Sequence, residues 1–167
     1  MGLGAKEPLP PRSVAQSVRI RVWTPDEVPG LSPAAIKVLL RNDGKTPSCW
    51  SAVTLMVGSR TLVIINSSHS PARQASDLMH ELSHIILGHK VHDVALPVSG
   101  VMLVSGYDKK QEDEADYLSA SLLLPRDALV HIKNKRAPIE HVIAEYGVSK
   151  AMLSYRMQMT GVNRQFS

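Results

Sequence analysis

Apolar and polar residues along this chain change their period several times, and each change marks an element. Val18, Ile20 and Val22 alternate with Arg19 and Arg21. That two-residue period predicts a strand over residues 18–23. Residues 1–17 carry Pro8, Pro10 and Pro11 without apolar periodicity, and a flexible leader is expected there. Ser32-Pro33 reads as a helix start, with serine capping and proline at the first helical position. The helix would run to about Arg41 and end at Asn42-Asp43-Gly44. Residues 51–57 and 61–65 are runs of Val, Ile, Leu and Thr, split by Gly58-Ser59-Arg60 as in a hairpin. Ser70-Pro71 repeats the helix-start signal, and Leu78, Leu82, Ile85 and Ile86 then recur at helical spacing up to Gly88.

Residues 89–110 contain Pro97, Gly100 and Gly106 around a small apolar run, and read as a long loop or a short hairpin able to act as a lid. A second helix is expected over residues 111–124, stopped by Pro125. Shorter helices are expected over 126–133, 138–146 and 149–159. The order predicts an α+β fold: a small antiparallel sheet packed on a helical core, with a helical C-terminal part. The leader 1–17 would precede a main domain over 18–125 and a helical subdomain over 126–167.

Composition narrows the setting. The 167 residues include one cysteine, Cys49, so no disulfide can form within the chain, which points to a reducing, cytoplasmic location. No apolar run is long enough to span a bilayer, so no membrane partner is expected. Residues 126–167 carry 7 Lys/Arg against 3 Asp/Glu, which accounts for the whole net charge of +4. That local excess fits either a solvated basic face or a weak footprint for an acidic protein or nucleic acid.

Residues 80–84 read His-Glu-Leu-Ser-His. On a helix, positions i and i+4 share one face, so His80 and His84 can hold one zinc ion at about 2.0–2.1 Å. Glu81 lies beside them as a general base. A zinc ion in such a site brings the pKa of water from near 16 down to about 7 and polarises a scissile carbonyl, the logic of HExxH peptidases. A catalytic zinc needs a third protein ligand. Metzincins place Gly and His three and six residues after the second motif histidine. Here those positions hold Leu87 and Lys90, while Gly88 and His89 are out of register. His89 is therefore read as a helix-end residue favoured by the dipole. The segment Glu112-Asp113-Glu114-Ala115-Asp116 offers the alternative. Glu112 is the preferred third ligand and Glu114 the fallback. Asp116, one turn on, would accept a hydrogen bond from a ligating imidazole and fix its tautomer. Ala115 is small enough to let two helices meet.

These motifs, with Ile85-Ile86-Leu87-Gly88-His89, Tyr117-Leu118-Ser119-Ala120 and Leu122-Leu123-Leu124-Pro125, resemble the ImmA/IrrE family of metallo-endopeptidases over about residues 60–160. Tyr146-Gly147-Val148-Ser149 and Arg156 resemble the family's helical tail. The resemblance implies a zincin-like core, one zinc ion on His80, His84 and Glu112, and Glu81 as the catalytic residue. It also implies a prokaryotic, phage or mobile-element origin and a protein substrate, since some members cleave a helix-turn-helix transcriptional repressor. Ser83 stands where glycine is common and Leu118 where phenylalanine is common; both departures bear on substrate preference.

Residues 138–159 have the outline of a helix-turn-helix, with Gly147 in the turn. Met152, Leu153, Tyr155 and Met157 leave few polar groups to read bases, so an ordinary helical hairpin is the expectation. A DNA-binding or antitoxin-like regulator on a peptidase-derived fold is the alternative. Tyr117 and Tyr155 are candidates for an oxyanion donor. Cys49 is expected to be buried, and His92, His131 and His141 to be structural or solvated.

Overall fold

The computed structural model describes residues 4–41, 50–57, 60–89, 94–95, 103–104 and 108–166. Helix α1 (Pro11–Ser17) is followed by strand β1 (Arg21–Trp23), a short 3-10 turn and α2 (Pro33–Leu39). Strands β2 (Ala52–Val57) and β3 (Arg60–Ile65) lead into α3 (Pro71–Leu87). A small ladder, β4 (Val94–Ala95) and β5 (Leu103–Val104), precedes α4 (Lys109–Leu123). The chain ends in α5 (Arg126–Lys135), α6 (Ile139–Tyr146), α7 (Lys150–Met159) and α8 (Val162–Gln165).

The fold is α+β, as the pattern predicts. The three-stranded sheet has the order β1-β3-β2. It is mixed rather than wholly antiparallel, because β1 runs parallel to β3 while β2 pairs with β3 antiparallel. The sequence order explains the difference. β2 and β3 form a hairpin, whereas β1 and β3 are separated in sequence by α2 and β2, a long connection that permits parallel pairing. β1 is also shorter than the alternation suggests. α1 and its turn run through Arg19, which has φ +60°, so the extended backbone begins only at Arg21.

The expected flexible leader is corrected. Pro10 and Pro11 do not block structure; Pro11 opens α1, where its missing N–H costs nothing and its fixed φ suits a helix. Val14 and Ala15 on that helix are buried against the rest of the core. The Tyr146 hydroxyl donates to the Lys6 carbonyl at 2.6 Å, tying the segment before α1 to α6.

One buried cluster runs through the molecule. It joins Val63 and Ile65 of β3, Leu78, Met79 and Leu82 of α3, and Leu123 of α4 to Leu129, Val142, Leu153 and Val162 of the C-terminal helices. It therefore crosses position 125/126, where a subdomain boundary is expected. Ile86, part of the apolar pattern of α3, is 47% exposed at the helix end. The buried Arg156 of α7 donates from Nε to the Leu124 carbonyl at 3.1 Å, holding the last helices against the end of α4. The β4–β5 ladder realises the short-hairpin reading of residues 89–110. The expectations for Asn42-Asp43-Gly44, Cys49, His92 and residues 90–93, 96–102 and 105–107 of the 89–110 segment lie outside the described residues. Among the described residues no helix is long and apolar enough to cross a membrane.

Candidate metal centre

Helix α3 starts as the sequence dictates. The Ser70 hydroxyl accepts from the Arg73 N–H, and Pro71 occupies the first turn. At about 100° per residue, Leu78, Met79, Leu82 and Ser83 fall on the face turned to the core, and His80 and His84 fall on the opposite side. Buried Ser83 donates to the Met79 carbonyl at 2.8 Å, so its hydroxyl is satisfied within the helix. Helix α4 starts at Asp108, whose carboxylate accepts from the Lys110 N–H, and it packs along α3 with Ala115 fully buried. The small side chain allows the close approach that brings Glu112 to α3.

His80 Nε2 and His84 Nε2 face each other at 3.0 Å. Oε2 of Glu112 is 3.2 Å from His80 Nε2, and Oε1 is 3.5 Å from His84 Nε2. One ligand atom from each of these residues fits within 4.8 Å of the others. The donor set is compatible with a metal ion. Two imidazole nitrogens and a carboxylate come together from two helices and are partly exposed. Glu114 does not join this group. It lies instead against His89, with His89 Nε2 to Glu114 Oε2 at 3.1 Å.

The imidazoles are braced from behind. His80 Nδ1 donates to Asp116 Oδ1 at 2.9 Å. His84 Nδ1 meets His89 Nδ1 at 2.9 Å. His89 is thus more than a helix-end residue responding to the dipole, because its ring is almost enclosed and hydrogen-bonded at both nitrogens.

Glu81 lies about 100° around α3 from His80, on the side of the sheet. Its Oε2 accepts from the Thr54 hydroxyl on the edge strand β2. Burial pushes the Glu81 carboxyl above the usual glutamate range; the Thr54 hydrogen bond and the nearby His80 pull it down, and Glu112 and Asp77 push it further up. Thr54 carries no sequence signal for this contact, being 27 residues from its partner.

Tyr155 of α7, half exposed, lines a cavity of about 400 Å³ with His80, Asp77 and Asp116. Tyr117 is 63% exposed and does not line it. His131 is half-buried and His141 exposed, and neither joins the cluster.

Among individually curated proteins, none matches the chain. The Peptidase_M78 family, described as the IrrE N-terminal-like domain, matches residues 41–158. The match spans β2 and β3, both helices that build the His80–His84–Glu112 cluster, and the packed C-terminal helices through all but the last residue of α7. On that match and on the geometry it encloses, the chain belongs to the Peptidase_M78, IrrE N-terminal-like family.

Proposed function

We propose that this protein is a zinc-dependent endopeptidase that hydrolyses a peptide bond of a protein substrate, with helix-turn-helix repressors as the substrate class its family resemblance favours. The observation that carries the reading is the convergence of His80, His84 and Glu112 beside a half-buried carboxylate, Glu81. His80, His84 and Glu112 would hold the ion, and their mixture of imidazole and carboxylate with an open side matches catalytic rather than structural zinc. When bound, zinc supplies Lewis acidity toward water and the scissile carbonyl.

The protein's own residues do the rest. Glu81 takes a proton from the attacking water and passes it to the departing amine, so that the C–N bond breaks with a neutral leaving group. Its upward-shifted carboxyl makes it a stronger base than an ordinary glutamate, which suits a group that must both accept and return a proton. Thr54 holds that carboxylate in one orientation. Asp116 keeps the proton of His80 on Nδ1, leaving the Nε2 lone pair for the ion.

Glu81→Gln is the test. The variant keeps the three donors and should bind zinc as the parent does, while cleavage of a candidate repressor, read by gel and mass spectrometry, falls by at least about a hundredfold, the scale of a lost general base. Undiminished cleavage by that variant would remove Glu81 from the reaction.

A further inference from the structure

We infer that His89 and Glu114 form a relay that sets the tautomer of His84, making His89 a positioning residue for the metal centre. The inference rests on the zinc reading above and extends it to two residues outside the donor set.

The geometry begins with the end of α3. Gly88 has φ +68° and ψ +27°, the left-handed conformation. Its N–H bonds the Ile85 carbonyl at 3.1 Å, and the next N–H, of His89, bonds the His84 carbonyl at 2.9 Å. This is the Schellman pairing, which folds the residue after the glycine back over the residue five positions earlier. Here those two residues are His89 and His84, so the backbone turn itself delivers one imidazole to the other.

Along the Glu114–His89–His84 chain, neutral rings can place their protons in one way. A carboxylate only accepts, so Glu114 Oε2 requires the proton of His89 on Nε2, 3.1 Å away. His89 Nδ1 is then an acceptor. It faces His84 Nδ1 at 2.9 Å, so His84 must carry its proton there. That leaves the lone pair of His84 on Nε2, the atom that faces His80 and Glu112. Asp116 imposes the same tautomer on His80 directly. The two imidazoles are thus pre-set by different devices, one by a carboxylate and one by a carboxylate acting through a second histidine. The His89 side chain is only 7% exposed, so water does not readily replace it.

The test uses the full chain, with zinc as the probe and His89→Ala, His89→Gln and Glu114→Ala as variants. Zinc affinity is measured by competition with a chromogenic chelator, and the His84 tautomer in metal-free protein is read by long-range ¹H–¹⁵N NMR. His89→Ala should weaken zinc binding by about 10- to 100-fold, the usual cost of losing such a support. It should also convert His84 from a single Nδ1–H form to a mixture. Glu114→Ala should move both readouts the same way by less. His89→Gln, whose amide can accept from His84 and donate to Glu114, should stay close to the parent. Parental affinity and an unchanged His84 tautomer in His89→Ala would overturn the relay, and so would an Nε2–H tautomer in the parent. A parent that binds no zinc but shows the Nδ1–H tautomer, lost in His89→Ala, would instead contradict the zinc reading while upholding the relay.

Discussion

Glu81 is the residue where stability and the proposed chemistry meet most directly. Its folded-state pKa is raised, chiefly by burial. A carboxyl shifted this way binds its proton more tightly in the folded than in the unfolded chain. Its stabilising contribution is therefore fully present below the ordinary glutamate pKa and is lost as pH rises through the folded value. At neutral pH the metal-free protein carries this penalty, and Glu81→Gln should melt higher than the parent in the presence of a chelator. The gap should close in acid below the ordinary glutamate range, which paired thermal melts across pH will show. Thr54→Val tests the opposing influence. Losing a hydrogen bond to the ionised form raises the Glu81 pKa further. The acid limb of the pH–rate profile should then move to higher pH, as read from the pH dependence of kcat/KM.

Helices α3 and α4 were the elements most legible in the sequence. Ser70-Pro71 and Gly88 mark the ends of α3, and the Leu78–Leu82 spacing fixes its buried face, which places His80 and His84 on the other. The acidic run could be assigned to α4 from its own pattern, but the choice between Glu112 and Glu114 depends on how the two helices cross, which local periodicity does not encode. The role of His89 was within reach: a glycine at the left-handed end of a helix brings the next residue over the one five earlier. Thr54 was not, because strand pairing alone brings β2 to Glu81. Gly88 carries a prediction of its own. Any side chain there adopts left-handed φ at about 1–2 kcal/mol. Gly88→Ala should lower the unfolding free energy by that amount in a urea titration and weaken zinc binding by displacing His89. On the core face, Leu82→Ala should cost about 2–5 kcal/mol in the same assay.

For the molecule as a whole, the lesson lies in the first residues. Three prolines without periodicity read as a leader, yet Val14 and Ala15 complete the core and Tyr146 reaches back to Lys6. A seven-residue helix gives too few turns for an apolar stripe to register, and its burial is decided by α3, far along the chain. Removing residues 1–17 should therefore destabilise the fold by about 2 kcal/mol or more, the worth of a buried valine and its neighbours. Chemical denaturation of the shortened chain checks this. The parallel pairing of β1 eluded local reading for the same reason, since it depends on where α2 lets the chain return.

The claim on which all of this turns is that His80, His84 and Glu112 jointly hold one zinc ion. Metal analysis of purified parent, His80→Ala, Glu112→Ala and Glu81→Gln proteins tests it most directly. The account predicts about one zinc per chain in the parent and in Glu81→Gln, and loss of the metal in the other two. Zinc retained at parental stoichiometry by both His80→Ala and Glu112→Ala, or absent from a folded parent supplied with the ion, would contradict it.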